Sequence, residues 1–255
     1  MKEEKYVYLK NNRLFINTSL GCRGKCLYCY LPKIGLNNEC EENNIVTSKQ
    51  IIELIKKQNI EVKKDTLITI GCYSECLDKN NKKETLELIK YFLKKGNQIQ
   101  LSTKEKIYKE DFLDIINLIQ YKGQLIIFIS APTITKQKEI EINTLSIEER
   151  LSNFELLNEI NIPSVLYIKP VLKNITIKDI DIYINIIKKY DIQQVVVGSI
   201  FSEIKSGEPT PFFSNNKLFY MKNNEEDIII KQLSKYSNVS ARSTEVVKKY
   251  NRGEI

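Results

Sequence analysis

Six short apolar runs alternate with five amphipathic stretches along this chain, and that alternation limits its fold more than any other feature. The runs are LFINTSL (14–20), TLITIG (66–71), QIQLST (98–103), LIIFIS (125–130), SVLYIKPV (164–171) and QVVVGSI (194–200). Most are nearly continuously apolar, as parallel strands covered on both faces are. Between them lie 47–58, 82–96, 109–123, 146–160 and 177–190, with apolar residues at helical spacing that can cover a sheet. Thr47 and Ser146 suit helix N-caps, and Gly96 and Gly123 suit helix stops. The order is β(αβ)5.

Right-handed crossovers on six parallel strands leave two common solutions: an open doubly wound sheet, or about three-quarters of a full eightfold barrel. No Gly-rich phosphate loop follows any strand. Both solutions place chemistry at the carboxyl ends of the strands. Attention therefore falls on 19–29, 71–76, 102–104, Ser130, Lys169 and 198–199. Beyond residue 200, SEIKSGEPTPFFSNNKLFY is rich in turn residues and aromatics; a helix over 225–235 and a short end follow. We read 201–255 as a closing segment or lid of the same domain that 1–200 builds.

Charge says little about partners. The net charge is +7, but the 39 basic and 32 acidic residues are interspersed, which suits a solvated surface. No basic stripe with interleaved aromatics marks a duplex-binding channel. No apolar run approaches the ~18 residues of a membrane span, and the opening MKEEKYVYLKNN has no apolar signal core. These features point to a cytoplasmic protein without membrane contact, in a compartment where thiols stay reduced.

That compartment makes GCRGKCLYCYLP (21–32) informative. It carries three of the six cysteines, Cys22, Cys26 and Cys29, in a polar loop after the first strand, and the chain has no histidine. Three buried small hydrophobes would not sit beside Arg23, Gly24 and Lys25. Three thiolates from one loop can hold three corners of a cubane iron–sulfur cluster and leave its fourth iron open. Zinc would need a fourth ligand from Cys40, Cys72 or Cys76.

C-x3-C-x2-C with an aromatic before the last cysteine, placed after the first strand of a six-strand βα chain, resembles the radical S-adenosylmethionine (radical SAM) superfamily. More narrowly, CRGKCLYCYL is similar to the corresponding loop of spore photoproduct lyases, C-x-G-x-C-x-Y-C-Y-L. The likeness runs over roughly 14–200. GCYSEC (71–76) stands where that group has C-T-S-D-P or S-Y-T-D-P, and Ser102, Thr103 and Lys104 stand at its T-K. Ser130 ends the fourth strand, and YIKPVL matches a fifth running into a proline-containing loop.

The resemblance implies a partial (β/α)6 TIM-like barrel holding a [4Fe-4S] cluster on Cys22, Cys26 and Cys29. The open iron would bind S-adenosylmethionine. Reduction by a flavodoxin- or ferredoxin-type donor would release a 5'-deoxyadenosyl radical that abstracts a substrate hydrogen. Tyr28 would sit against the adenine and Tyr30 near the cluster. Ser74 and Glu75 would receive the cofactor's ammonium, Lys104 its carboxylate, and Ser130 its ribose or carboxylate; Lys169 is a further binding candidate. Cys72 matches the lyase cysteine that donates a hydrogen atom to the substrate radical.

Two departures matter. Cys76 stands where the family has proline, and with Cys40 and Cys72 it raises the question of a second cluster. Only 21 residues precede Cys22, fewer than in a full spore photoproduct lyase, which weakens a DNA-repair reading. The substrate stays open between a nucleic-acid lesion and a peptide, and a non-catalytic iron–sulfur or zinc module is the third class.

Overall fold

Asn11 and Asn12 both adopt positive φ, 52° and 55°, the backbone of a two-residue hairpin turn whose twist matches its strands. They join β1 (Val7–Lys10) to β2 (Arg13–Ile16) as an antiparallel pair in register Val7 to Ile16. The computed structural model describes residues 3–36, 45–203, 208–209 and 218–255, and this hairpin forms one edge of its main sheet.

From β2 onward the sheet is parallel. It continues through β3 (Leu67–Ile70), β4 (Ile99–Thr103), β5 (Leu125–Ser130), β6 (Ser164–Ile168) and β7 (Gln194–Val197). These are the six expected strands, each a little shorter than its apolar run. Beyond them come β8 (Ile200–Ser202), β9 (Glu208–Pro209), β10 (Phe219–Met221) and β11 (Asn238–Ser240). The eight-stranded order is β1-β2-β3-β4-β5-β6-β7-β11, so strands neighbour one another almost in chain order and the sheet does not close. The α/β fold is thus the expected partial barrel with one extra strand at each edge.

The helices are α1 (Glu3–Tyr6), α2 (Ser48–Lys57), α3 (Lys82–Lys94), α4 (Lys109–Ile116), α5 (Gln137–Ile140), α6 (Ile147–Leu151), α7 (Asn153–Glu159), α8 (Ile180–Lys189), α9 (Glu225–Leu233) and α10 (Ser243–Asn251). Thr47 and Ser146 close capping boxes with Gln50 and Glu149, as their positions suggest. The single helix expected over 146–160 is instead two. Buried Asn153 turns its amide onto the neighbouring loop, accepting from Ile107 N at 2.9 Å and donating to Glu105 O at 2.8 Å.

Two corrections concern the tail. The short end expected after 225–235 contains β11, which α9 returns parallel to β7, and α10, which packs inside the sheet's concave face. There Val246 and Val247 meet Ile126, Phe128, Val165 and Val196 in an inner core. The larger core lies outside, between the sheet and the covering helices. Gly123 does not stop a helix, since α4 ended at Ile116. At φ +83° it clears the Tyr250 ring, where a Cβ would come within 2.6 Å. The interior is therefore plugged at its amino end and open at its carboxyl end.

Candidate functional site

β2 delivers the chain into Asn17, Thr18 and Ser19, which are wholly buried. Asn17 Oδ1 accepts from Tyr73 N at 2.7 Å, and Ser19 Oγ accepts from Asn81 Nδ2 at 2.6 Å. The root of the cysteine loop is thereby tied to the segment after β3. Gly24 then passes between two of the thiols. A Cβ there would lie 3.4 Å from Cys22 Sγ, 3.7 Å from Cys26 Sγ and 3.1 Å from the Thr144 methyl. Both sulfurs face the space over this glycine.

The segment after β5 clasps the loop from outside. Leu27 N donates to Ile140 O at 2.9 Å, Asn143 N donates to Gly24 O at 3.1 Å, and Cys26 bridges Glu141 as an antiparallel pair. Glu141 is the hub of this clasp. Its side chain is fully buried; Oε1 accepts from the Tyr28 hydroxyl and lies 3.7 Å from Lys104 Nζ, while Oε2 accepts from Arg150 Nη1 at 2.6 Å. Arg150, also fully buried, gives Nε to Leu145 O, Nη1 also to Ser130 O and Nη2 to the Thr144 hydroxyl. One buried ion pair thus joins the cysteine loop to the ends of β4 and β5, with its polar atoms satisfied as burial demands.

Burial governs the thiols. It pushes Cys22 up to about 12, with the Glu75 carboxylate adding to the shift. Burial also raises Cys26 and Cys29, and Lys104 opposes it at both. These sulfurs become thiolates when a metal's charge replaces the proton. Among the described residues, no three His, Cys, Asp or Glu side chains close on one point as a single ion requires. Three thiols from one loop are a donor set that fits three irons of a cubane cluster.

The loop roofs a cavity of about 510 Å3 at the carboxyl ends of the strands, the size range of small-molecule sites. Cys22, Cys26, Tyr28, Cys29, Tyr30, Cys72, Ser74, Glu75, Lys104, Ser130 and Lys169 all line it. Glu75 accepts from Thr103 Oγ1 at 2.6 Å and Lys104 N at 2.9 Å, though burial still raises its pKa. Ser74 Oγ is buried without a hydrogen-bond partner, a cost of ~1–3 kcal/mol unless something in the cavity meets it. Cys72 is raised to about 11 by burial, and its carbonyl accepts from the Tyr30 hydroxyl. Lys169 lies 4.6 Å from the Tyr220 ring centre and 5.1 Å from that of Phe201. Burial, then Arg13 and Arg242, push it down to about 8.

Cys76 stands apart from this set. It is buried under Gly71, where a Cβ would come within 2.6 Å of Cys76 Cβ, and its thiol faces Ser102 O at 3.6 Å. That position fits a packing residue. Cys40 and residues 212–217 of the aromatic segment lie outside the described residues.

Sequence reading missed Glu141 and Arg150, yet Arg150 carries a signal. It occupies the core-facing stripe with Ile147, Leu151 and Phe154, where an arginine must have buried partners. Arg13, Gln100 and Tyr167 were also missed; they line the cavity from within strands or strand ends.

A family model described as the radical SAM superfamily matches residues 16–187. No curated protein sequence matches the chain. Among solved structures, a mutant spore photoproduct lyase with bound AdoMet and dinucleoside spore photoproduct is similar, at TM-score 0.63 and 13% identity over 89% of this chain and 75% of that one. Streptococcus suis SuiB bound to S-adenosylmethionine is similar at TM-score 0.59 and 15% identity, over 95% of this chain and 53% of SuiB. SuiB bound to its precursor peptide SuiA gives TM-score 0.59 and 12% identity over the whole of this chain and 54% of that one. The chain spans about half the length of SuiB.

Proposed function

Because the chain belongs to the radical SAM superfamily, whose members use a [4Fe-4S] cluster and S-adenosylmethionine, we propose that this cavity is a radical reaction chamber. Cys22, Cys26 and Cys29 would hold the cluster, and Ser74, Glu75, Lys104 and Ser130 would hold the cofactor's amino-acid and ribose portions. When bound, and reduced by a flavodoxin- or ferredoxin-type donor, the pair supplies a 5'-deoxyadenosyl radical that takes a hydrogen atom from the substrate. The observation that carries this reading is the buried, unpartnered Ser74 hydroxyl lining the same cavity as the three thiols.

The protein's part is to bind, orient and exclude water. Glu75, held by Thr103 and the Lys104 N–H, is aimed as a fixed acceptor for an ammonium. Lys104 sets a positive charge beside Glu141 and the cysteine loop. Glu141 holds the Tyr28 hydroxyl under that loop, where the ring would stand against the cofactor's adenine. Phe201 and Tyr220 close the rim with apolar surface.

For the reaction type we favour a spore photoproduct lyase-like cycle in which Cys72 would give a hydrogen atom to the substrate radical and its thiyl would recover one from 5'-deoxyadenosine, which lets S-adenosylmethionine re-form. A hydrogen-atom donor must carry its S–H, and burial keeps the Cys72 thiol protonated at neutral pH. The Tyr30 hydroxyl on its carbonyl fixes where that thiol sits. A peptide-modifying reading draws on the SuiB likeness, which covers the whole chain, and would use the single cluster.

Anaerobic reconstitution with dithionite and S-adenosylmethionine tests the premise. The expected product is 5'-deoxyadenosine; a normal cluster spectrum with no product would reduce the protein to an iron–sulfur module. In the same assay, Cys72→Ala is expected to consume more S-adenosylmethionine per turnover. Unchanged consumption and product identity would remove Cys72 as the donor.

A further inference from the structure

Two cationic side chains that line the cavity, Arg13 and Lys169, have no carboxylate within ion-pair distance among the described residues. Arg13 opens β2, whereas the cysteine loop leaves that strand's other end, roughly 10 Å farther along. Its Nε donates to Thr69 Oγ1 at 2.6 Å and its guanidinium stacks 4.5 Å over Phe15. Among the described residues its two Nη groups have no hydrogen-bond partner and no carboxylate within ion-pair distance. Lys169 follows the end of β6 on the far side, where Glu226 acts on it from beyond ion-pair distance. Its stem lies over Gly198, where a Cβ would approach Lys169 Cδ to 2.8 Å, and its ammonium meets rings but no carboxylate among the described residues.

A third observation points to a missing ligand. Gln100, 2% exposed, gives Nε2 to Thr69 Oγ1 at 3.0 Å and keeps Oε1 buried and unpartnered. Turning the amide over would only exchange which atom is orphaned. Arg13, Thr69, Gln100, Cys72, Tyr167 and Lys169 line the same cavity. Two half-buried basic side chains beside a buried, unsatisfied amide favour an anion that carries a neighbouring donor.

We propose that Arg13 and Lys169 form the seat for an oxyanion of the substrate, carboxylate or phosphate, and thereby set which of its atoms faces Cys72. The guanidinium, pinned by Thr69 and Phe15, presents its free edge to two oxygens, and the ammonium closes the seat as a point charge. Gln100 receives a donor on the adjoining part of the ligand. Lys104 and Ser130, which would hold the cofactor's carboxylate and ribose, stand at the ends of β4 and β5, whereas Arg13 opens β2, so we assign this seat to a second molecule. The assignment of that molecule as substrate rests on the reaction-chamber reading above.

The test is site-resolved. The reconstituted full chain is reductively methylated at pH 7.5 with inorganic phosphate, with acetate, or with neither, and modification of Lys169 is read by peptide mass spectrometry beside that of exposed Lys122. Phosphate or acetate at millimolar concentration is expected to slow Lys169 labelling by about threefold or more without changing Lys122. Arg13→Gln abolishes that protection, and Arg13→Lys keeps part of it. The anion that protects at the lower concentration identifies the source of the oxyanion. No protection, protection untouched by Arg13→Gln, or displacement of the anion by S-adenosylmethionine overturns the substrate seat. Formation of 5'-deoxyadenosine is scored in the same preparations. Product without protection removes the seat and leaves the reaction; protection without product does the reverse.

Discussion

Glu141 ties together more of the site than any cysteine does, since it takes the Tyr28 hydroxyl, faces Lys104 and pairs with Arg150 without exposing an atom. Its removal leaves a buried guanidinium unpaired. Glu141→Ala is expected to cost about 3–5 kcal/mol of stability and to lower iron retention, both readable by chemical denaturation and iron assay. Glu141→Leu combined with Arg150→Met should recover much of the stability and little of the iron, because the clasp on the cysteine loop stays missing. Glu105 tests electrostatics in the same wall. Burial, then Glu75 and Asp78, push its carboxyl to about 7 from the ordinary 4.5. Between those values the folded chain binds more protons than the unfolded one, so this group's contribution falls as pH rises through the window. Glu105→Gln should therefore raise the denaturation midpoint at pH 8 and leave it unchanged at pH 4. At this scale, the residues that share the cavity were legible from thiol spacing and strand-end position. Glu141, Arg13 and Gln100 were not, since lone polar residues in apolar runs acquire meaning only from partners distant in sequence.

Elements were legible where they are buried on both faces. β2 to β7 read as continuous apolar runs because helices cover one side and the interior the other. β1 and β11 escaped because edge strands of three or four residues need little apolar sequence; NVS in β11 has one apolar residue. α10 escaped for a different reason. Its apolar face covers the concave side of the sheet, a surface that exists only once the strands have curved around it. That contact makes a sharp prediction. Gly123→Ala would force a methyl into the Tyr250 ring and strain a left-handed φ, with an expected loss of about 2 kcal/mol. Heightened protease cutting within 243–251 would show α10 as the element released, and a normal thermal midpoint in Gly123→Ala would contradict the inner-core account.

At the scale of the molecule, one half of the interior is filled by side chains and the other is kept open, polar and charged. Among the described residues, Cys22, Cys26, Cys29 and Cys72 line the open half, while Cys76 is packed under Gly71, an arrangement that predicts one cluster on the three loop thiols. Reconstituted protein should bind about four irons per chain. Cys22→Ala should lose most of them, and Cys76→Ala should retain them at reduced stability; iron counts near eight would show a second centre. Sheet order almost repeats chain order, so the walls can be laid down one neighbour at a time as synthesis proceeds. β11 and α10 emerge after every wall they seal. At ordinary translation speed the interior stays unplugged for on the order of several seconds after β7 is made. The protein's architecture thus has a direction in time, in which the cysteine loop is presented early and the floor arrives late.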